Sequence, residues 1–182
     1  MSNTSSSSKQ NNEDQLISLI EKIKLFESYP QYSKIKIAKN SKIIEYDMGR
    51  PISDGDIIPN SVQIILDGEA RLIGKENNQK VTIAKLGKGT IIGLASILRE
   101  KSCEQVNASS KVITLSINDN FILELYKEEK LFAEWCKSHI IPVELYGLAE
   151  ELLKNTANSN YNEKTLFNIL YKKCSISSKK SI

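Results

Sequence analysis

Ile64-Ile65-Leu66-Asp67-Gly68-Glu69-Ala70-Arg71-Leu72, followed by Leu86-Gly87-Lys88-Gly89-Thr90-Ile91-Ile92-Gly93-Leu94-Ala95-Ser96-Ile97-Leu98 and then by Val106-Asn107-Ala108, decides the reading of the fold. Val62 to Gly74 is long and β-prone, and Asp67-Gly68 inside it suggests a bulge or bend. Lys75 to Lys80 is a polar connection to a further strand, Val81 to Leu86. In Val112 to Ile117, Ile113, Leu115 and Ile117 alternate with Val112, Thr114 and Ser116, which predicts one face in the core and the other near solvent. Short strands broken by glycine corners predict a small β-barrel.

Outward from this stretch the period turns helical. Leu16, Leu19, Ile20, Ile23 and Phe26 fall at spacings of three and four, one apolar stripe on a helix, and Pro30 opens a second short helix through Ile37. Ser41 to Tyr46 is β-prone, and Met48 to Pro59 mixes Gly49, Pro51, Gly55 and Pro59 with short apolar pieces, as tight barrel corners would. Asp119 is a suitable N-cap for a helix carrying Phe121, Ile122 and Leu125. Leu131, Phe132 and Trp135 mark a second helix that ends near Ile141, and Pro142 opens a third, with Leu145, Leu148 and Leu152 along one side. Thr165 to Tyr171 suits one more weak helix. The organisation expected is a disordered tail over 1–13, a helical segment over 14–40, a barrel over 41–119, helices over 120–154, and a linker or weak helix over 155–182.

The chain has 182 residues, 40% of them hydrophobic, enough for one domain with an ordinary core plus tails. Its 25 basic and 22 acidic residues are dispersed, which argues against a nucleic-acid partner. Only Arg50, Arg71 and Arg99 offer the fork geometry that suits phosphate. Cys103, Cys136 and Cys174 show no CxxC pairing and suggest neither a disulfide framework nor a zinc site. No apolar run approaches the roughly 18 residues of a membrane span, and the start lacks the pattern of a signal peptide. A cytoplasmic chain without direct membrane insertion is expected.

Helix, about seven or eight short strands, then helices is an order similar to that of the cyclic nucleotide-binding domain, a mainly β jelly-roll barrel with flanking helices, as in kinase regulatory subunits. The similarity covers roughly Phe26 to Lys154. The resemblance implies a short helix just after Gly93, whose free N–H groups hold the cyclic phosphate; in that family a glutamate directly after the glycine grips the ribose 2′-hydroxyl, and an arginine about eight residues on pairs with the cyclic phosphate. Leu94 stands at the first position and Ser102 at the second. Losing two charged hydrogen bonds of roughly 1.5–3 kcal/mol each forfeits about 3–6 kcal/mol, on the order of 10²- to 10⁴-fold in affinity. Cyclic AMP or GMP binding is therefore expected to be weak or absent, with no cofactor. Restoring both charges by Leu94→Glu with Ser102→Arg is expected to restore binding if the turn still faces an open pocket.

A narrower resemblance rests on Tyr46-Asp47-Met48-Gly49-Arg50-Pro51-Ile52, on Pro59 to Leu72, and on Ser102-Cys103-Glu104-Gln105-Val106-Asn107-Ala108-Ser109. These resemble the N-terminal region of cyanobacterial ABC exporters that carry a peptidase domain and export peptides or toxins. The resemblance implies a cytosolic regulatory or docking domain, with the other domains of such an exporter, or a second copy of the chain, as partners. No ATPase P-loop occurs here; Gly87-Lys88-Gly89-Thr90 is too short to be one.

The candidate pocket comprises Ile92, Gly93, Leu94, Ala95, Ser96, Arg99, Ser102 and Cys103. Its turn reads either as a remaining anion seat, with Arg99 or Lys101 supplying charge, or as a short helix kept for packing with Leu94 turned inward. Cys103 reads as a redox-sensitive thiol or as a small buried hydrophobe. His139 is the only histidine, and no Ser-His-Asp or Cys-His arrangement surrounds it, so no catalytic group is assigned. Two functions stand: a non-catalytic docking module with a degenerate site, or a genuine sensor of cyclic nucleotide or another small anion.

Overall fold

The structure, a computed structural model, describes residues 13–76, 79–139, 141–155 and 161–177. The expected tail therefore lies outside them up to residue 12, and the lysine- and serine-rich end from 178 onward.

Among the described residues, eight strands form two four-stranded antiparallel sheets. One has the order β1 (Ser41–Tyr46), β8 (Val112–Asn118), β3 (Ser61–Asp67), β6 (Ile91–Ile92); the other has β2 (Pro51–Ser53), β7 (Gln105–Ala108), β4 (Ala70–Glu76), β5 (Gln79–Leu86). Strands consecutive in sequence lie in opposite sheets at most steps, the crossing pattern of a jelly roll. At Asp67-Gly68 the register against β8 shifts, and the chain passes from one sheet to the other, so the expected bend is a sheet crossing.

Two cores flank the barrel wall. Val62, Ile64, Leu115 and Ile117 face outward from the first sheet and pack with Ile20, Phe26, Ile37, Phe121, Ile122 and Phe132. These come from α1 (residues 13–20), a 3-10 turn at Lys24–Phe26, α2 (Gln31–Lys39), α4 (Asp119–Glu128) and α5 (Lys130–Ser138). The second core fills the barrel with Ile65, Leu72, Ile92, Val106 and Val112, and continues into Val143, Leu145, Tyr146 and Ala149 of α6 (Pro142–Asn155) and Phe167 of α7 (Glu163–Ser177). Ala70, Leu72 and Gly74 share one face of β4, by the two-residue period of a strand. A Cβ at Gly74 would collide with the Tyr146 ring, so the missing side chain is the notch that seats α6. Tyr146 Oη accepts from Lys75 N at 3.1 Å, and α6 thereby closes over the inner face of the β4–β5 hairpin.

Four expectations need correction. The N-terminal stripe does not form one helix through Phe26: α1 ends at residue 20, and tighter bonds such as Ile23 N to Ile20 O (3.0 Å) turn the chain so that Phe26 enters the core. The cap of α4 is Asn118, whose side chain accepts from Asn120 N at 3.0 Å, while Asp119 is the first helical residue and accepts from the same N–H at 2.8 Å. On α6 the buried residues are Val143, Leu145, Tyr146 and Ala149, with Leu148 and Leu152 exposed by 44% and 41%. The Gly74 notch sets the rotation of that helix, and the leucine spacing does not. The polar face of β8 is not near solvent either: Thr114 and Ser116 are buried, because both sheet faces are covered and this one lines the barrel interior.

Candidate functional site

The short helix after Gly93 is α3, Leu94–Leu98, between β6 and β7. Gly93 is its N-cap at φ +90°, a left-handed conformation that a side chain would strain, and its carbonyl accepts from Ile97 N at 3.0 Å. The turn is thus built as the resemblance implies, but its polar environment is supplied from within the chain. Gly93 N donates to Glu104 Oε1 at 2.6 Å, and Ser96 Oγ donates to the same oxygen at 3.4 Å.

Glu104 is 3% exposed. Burial pushes its carboxyl up to about 7, while the hydrogen bonds from Gly93 and Ser96 pull it back and the charge of Glu144 raises it further. When ionised, this carboxylate would repel a phosphate brought close to the turn.

The space beside the turn is filled as well. The cavity bounded by Leu72, Leu86, Thr90, Ile91, Glu104 and Ile141-Pro142-Val143 has a volume of about 10 Å³, whereas ligand pockets run to roughly 300–1,000 Å³. Ile141 to Val143 arrive there because α6 begins at the pocket. Glu144 Oε2 accepts from Ile141 N at 3.3 Å, half of a capping box, and Glu144 Oε1 pairs with Arg99 Nη2 at 3.3 Å. Arg99, the candidate cation, is thus engaged as a clamp between α3 and α6.

The eight candidate residues do not share one surface. Ile92 and Ala95 belong to the barrel core, and Gly93 and Ser96 face Glu104. Leu94 points the other way, among Phe26, Ile64, Ile122 and Phe132, so it is turned inward and away from the pocket. The double substitution Leu94→Glu with Ser102→Arg would therefore place one charge on the wrong side of α3. Ser102 is half-buried in the segment between α3 and β7. Cys103 Sγ lies 3.3 Å from Ser96 Oγ, and burial above all raises its pKa, which opposes the thiolate a redox sensor needs. Lys101 is exposed. His139 is exposed at the end of α5 and stacks on Trp135 at 4.6 Å between ring centroids. Among the described residues no group of His, Cys, Asp or Glu could hold a metal ion, and no helix is long and apolar enough to cross a membrane.

Sequence reasoning missed Glu104, yet a signal was present. Val106 and Ala108 are buried on β7, and the strand period carried back from them puts Glu104 on the same inward face.

Residues 44–129 match the family model of the cyclic nucleotide-binding domain. The fold is that of a cyclic nucleotide-binding domain. Solved structures agree on this architecture at low identity. The chain is similar to a regulatory subunit of a cAMP-independent protein kinase A from Trypanosoma cruzi bound to guanosine, with TM-score 0.67 and 19% identity, over 84% of this chain and 53% of that one. It is similar to the regulatory domain of Toxoplasma gondii PKA with cAMP, with TM-score 0.62 and 12% identity, over 72% and 51%. A cyclic nucleotide-binding domain from Methylobacillus flagellatus gives TM-score 0.55 and 19% identity, over 83% and 88%. The chain thus spans about half the length of the kinase subunits it matches and most of the bacterial domain. No curated protein matches the sequence.

Proposed function

We propose that this chain is a non-catalytic regulatory or docking module, built on a cyclic nucleotide-binding fold whose nucleotide seat is filled by its own carboxylate. The observation that carries the reading is the 2.6 Å bond from Gly93 N to Glu104 Oε1. The closed cavity beside it and the use of Arg99 as a clamp support the same conclusion. Calorimetric titration with cyclic AMP and cyclic GMP to millimolar concentration is expected to give no specific heat. Micromolar affinity for either would overturn the reading.

The setting belongs to the same proposal. The segments Tyr46 to Ile52, Pro59 to Leu72 and Ser102 to Ser109 support a cytosolic N-terminal domain of a cyanobacterial ABC exporter of peptides or toxins, with the exporter's other domains, or a second copy of this chain, as partners. Reading the gene beyond Ile182 tests it: a peptidase, membrane spans and a P-loop support the setting, and a stop codon removes it. One observation favours a sensor instead, since the Gly93 N–H still donates to an anionic group. That reading requires Glu104 to leave the seat when ligand arrives, and the same titration decides it.

A further inference from the structure

The barrel is open at a different place. Between β1, the inner ends of β3 and β8, and the segment from β2 to Asn60 lies a groove of about 800 Å³, within the range of small-molecule sites. It does not include the Gly93 turn, Glu104 or α6.

Its floor is polar and ordered. Gln63 Nε2 donates to Ser61 Oγ and to Ser116 Oγ, both at 2.9 Å, and Gln63 Oε1 accepts from Thr114 Oγ1 at 2.8 Å. Both Gln63 N–H donors are therefore used, and the amide holds Ser61, Ser116 and Thr114 in place. Ser116 Oγ accepts in this network and keeps its own proton for another acceptor. On the facing wall Ser53, 4% exposed, has a hydroxyl with no hydrogen-bond partner. A buried hydroxyl without a partner is uncommon in native structures and points to a group that supplies one.

The remaining walls set the class of that group. Ile44, Ile52, Ile57 and Ile58 make an apolar side, and Ile57 stands 63% exposed on it. The charged residues at the groove, Lys39, Lys42 and Asp54, are all exposed; Lys39 pairs with Glu13 at 3.8 Å, and Asp54 Oδ1 accepts from Asp56 N at 3.0 Å. No buried charge awaits a counter-ion, and no arginine is present to grip a phosphate or carboxylate. We infer that this groove binds a neutral small molecule with a hydroxylated ring, its hydroxyls on Ser53 and Ser116 and its apolar face on Ile52 and Ile57. Nucleosides and short saccharides share that chemistry.

The test is an amide-resolved NMR titration of the whole chain with adenosine in one arm and maltose in the other, each to millimolar concentration. Shifts confined to β1, β2 and the Asn60 to Gln63 region in either arm are expected, and the arm that saturates identifies the source. Ser53→Ala, checked for unchanged thermal unfolding, is expected to weaken binding about tenfold, as the loss of one hydrogen bond implies. Ile57→Asp, on the exposed wall where folding is not at stake, is expected to weaken it as well. No shift in the groove with either compound overturns the inference, and so do shifts centred on Gly93 and Glu104 or full binding by both variants.

Discussion

The Gly93 turn and the groove by Gln63 lie in one barrel and have opposite fates. At the turn the chain's own residues close the space: Glu104 accepts from Gly93 N, Arg99 pairs with Glu144 of α6, and about 10 Å³ remains. At the groove about 800 Å³ stays open and a buried hydroxyl has no partner. Strand order is shared by both regions, so it does not explain the difference. A few side chains do, chiefly Glu104, Glu144, Tyr146 and the absent side chain of Gly74. The fold therefore fixes where ligand space can exist, and local residues decide whether it does.

The largest effect expected comes from trying to make the turn resemble an open site. Leu94→Glu with Ser102→Arg puts a carboxylate among Phe26, Ile64 and Phe132 with no partner there. Chemical denaturation should show a loss of about 3–5 kcal/mol, the cost of an uncompensated buried charge, and the variant should bind no cyclic nucleotide. A stable variant that binds cyclic AMP would mean that Leu94 faces the pocket after all and would erase the contrast between the two regions.

A smaller effect concerns pH. Glu104 is raised in the folded state from 4.5 to about 7, so between those values the folded chain holds a proton that the unfolded chain has lost. Its contribution is fully present below pH 4.5 and disappears as pH rises through about 7. Stability at pH 5 should exceed that at pH 8 by up to about 3 kcal/mol from this group. Glu104→Gln, which keeps an acceptor for Gly93 N without the charge, should remove most of that dependence. Denaturation midpoints measured across this pH range in both proteins decide the point, and parallel profiles would show that Glu104 is not the group responsible.

Much of the fold is legible in the sequence because period carries it: the change from helical spacing to alternation near Ser41, and back after Asn118, marks the barrel and its flanking helices. Gly93 and its short helix are legible only through the resemblance to the cyclic nucleotide-binding domain, because the 5 residues of α3 are too few to show a period. What period does not convey is which side of a covered sheet is wet. Thr114 and Ser116 look solvent-facing, yet they line the inside of the barrel, where both hydrogen-bond to Gln63. Leu94 is legible as a missing charge, but its direction depends on the rotation of α3 against Phe26 and Phe132. Leu148 and Leu152 look like the packed side of α6 until the Gly74 notch selects Tyr146. In each case a contact distant in sequence overrides a local pattern.

The most direct test of the central claim, that Glu104 occupies the anion seat of the turn, is the pH titration of the Gly93 backbone amide by NMR in the native chain and in Glu104→Gln. The account expects the Gly93 signal to move with a midpoint near pH 7 in the native chain and to stay fixed in the variant. A Gly93 amide that ignores pH in the native chain, or titrates equally in both, would contradict it.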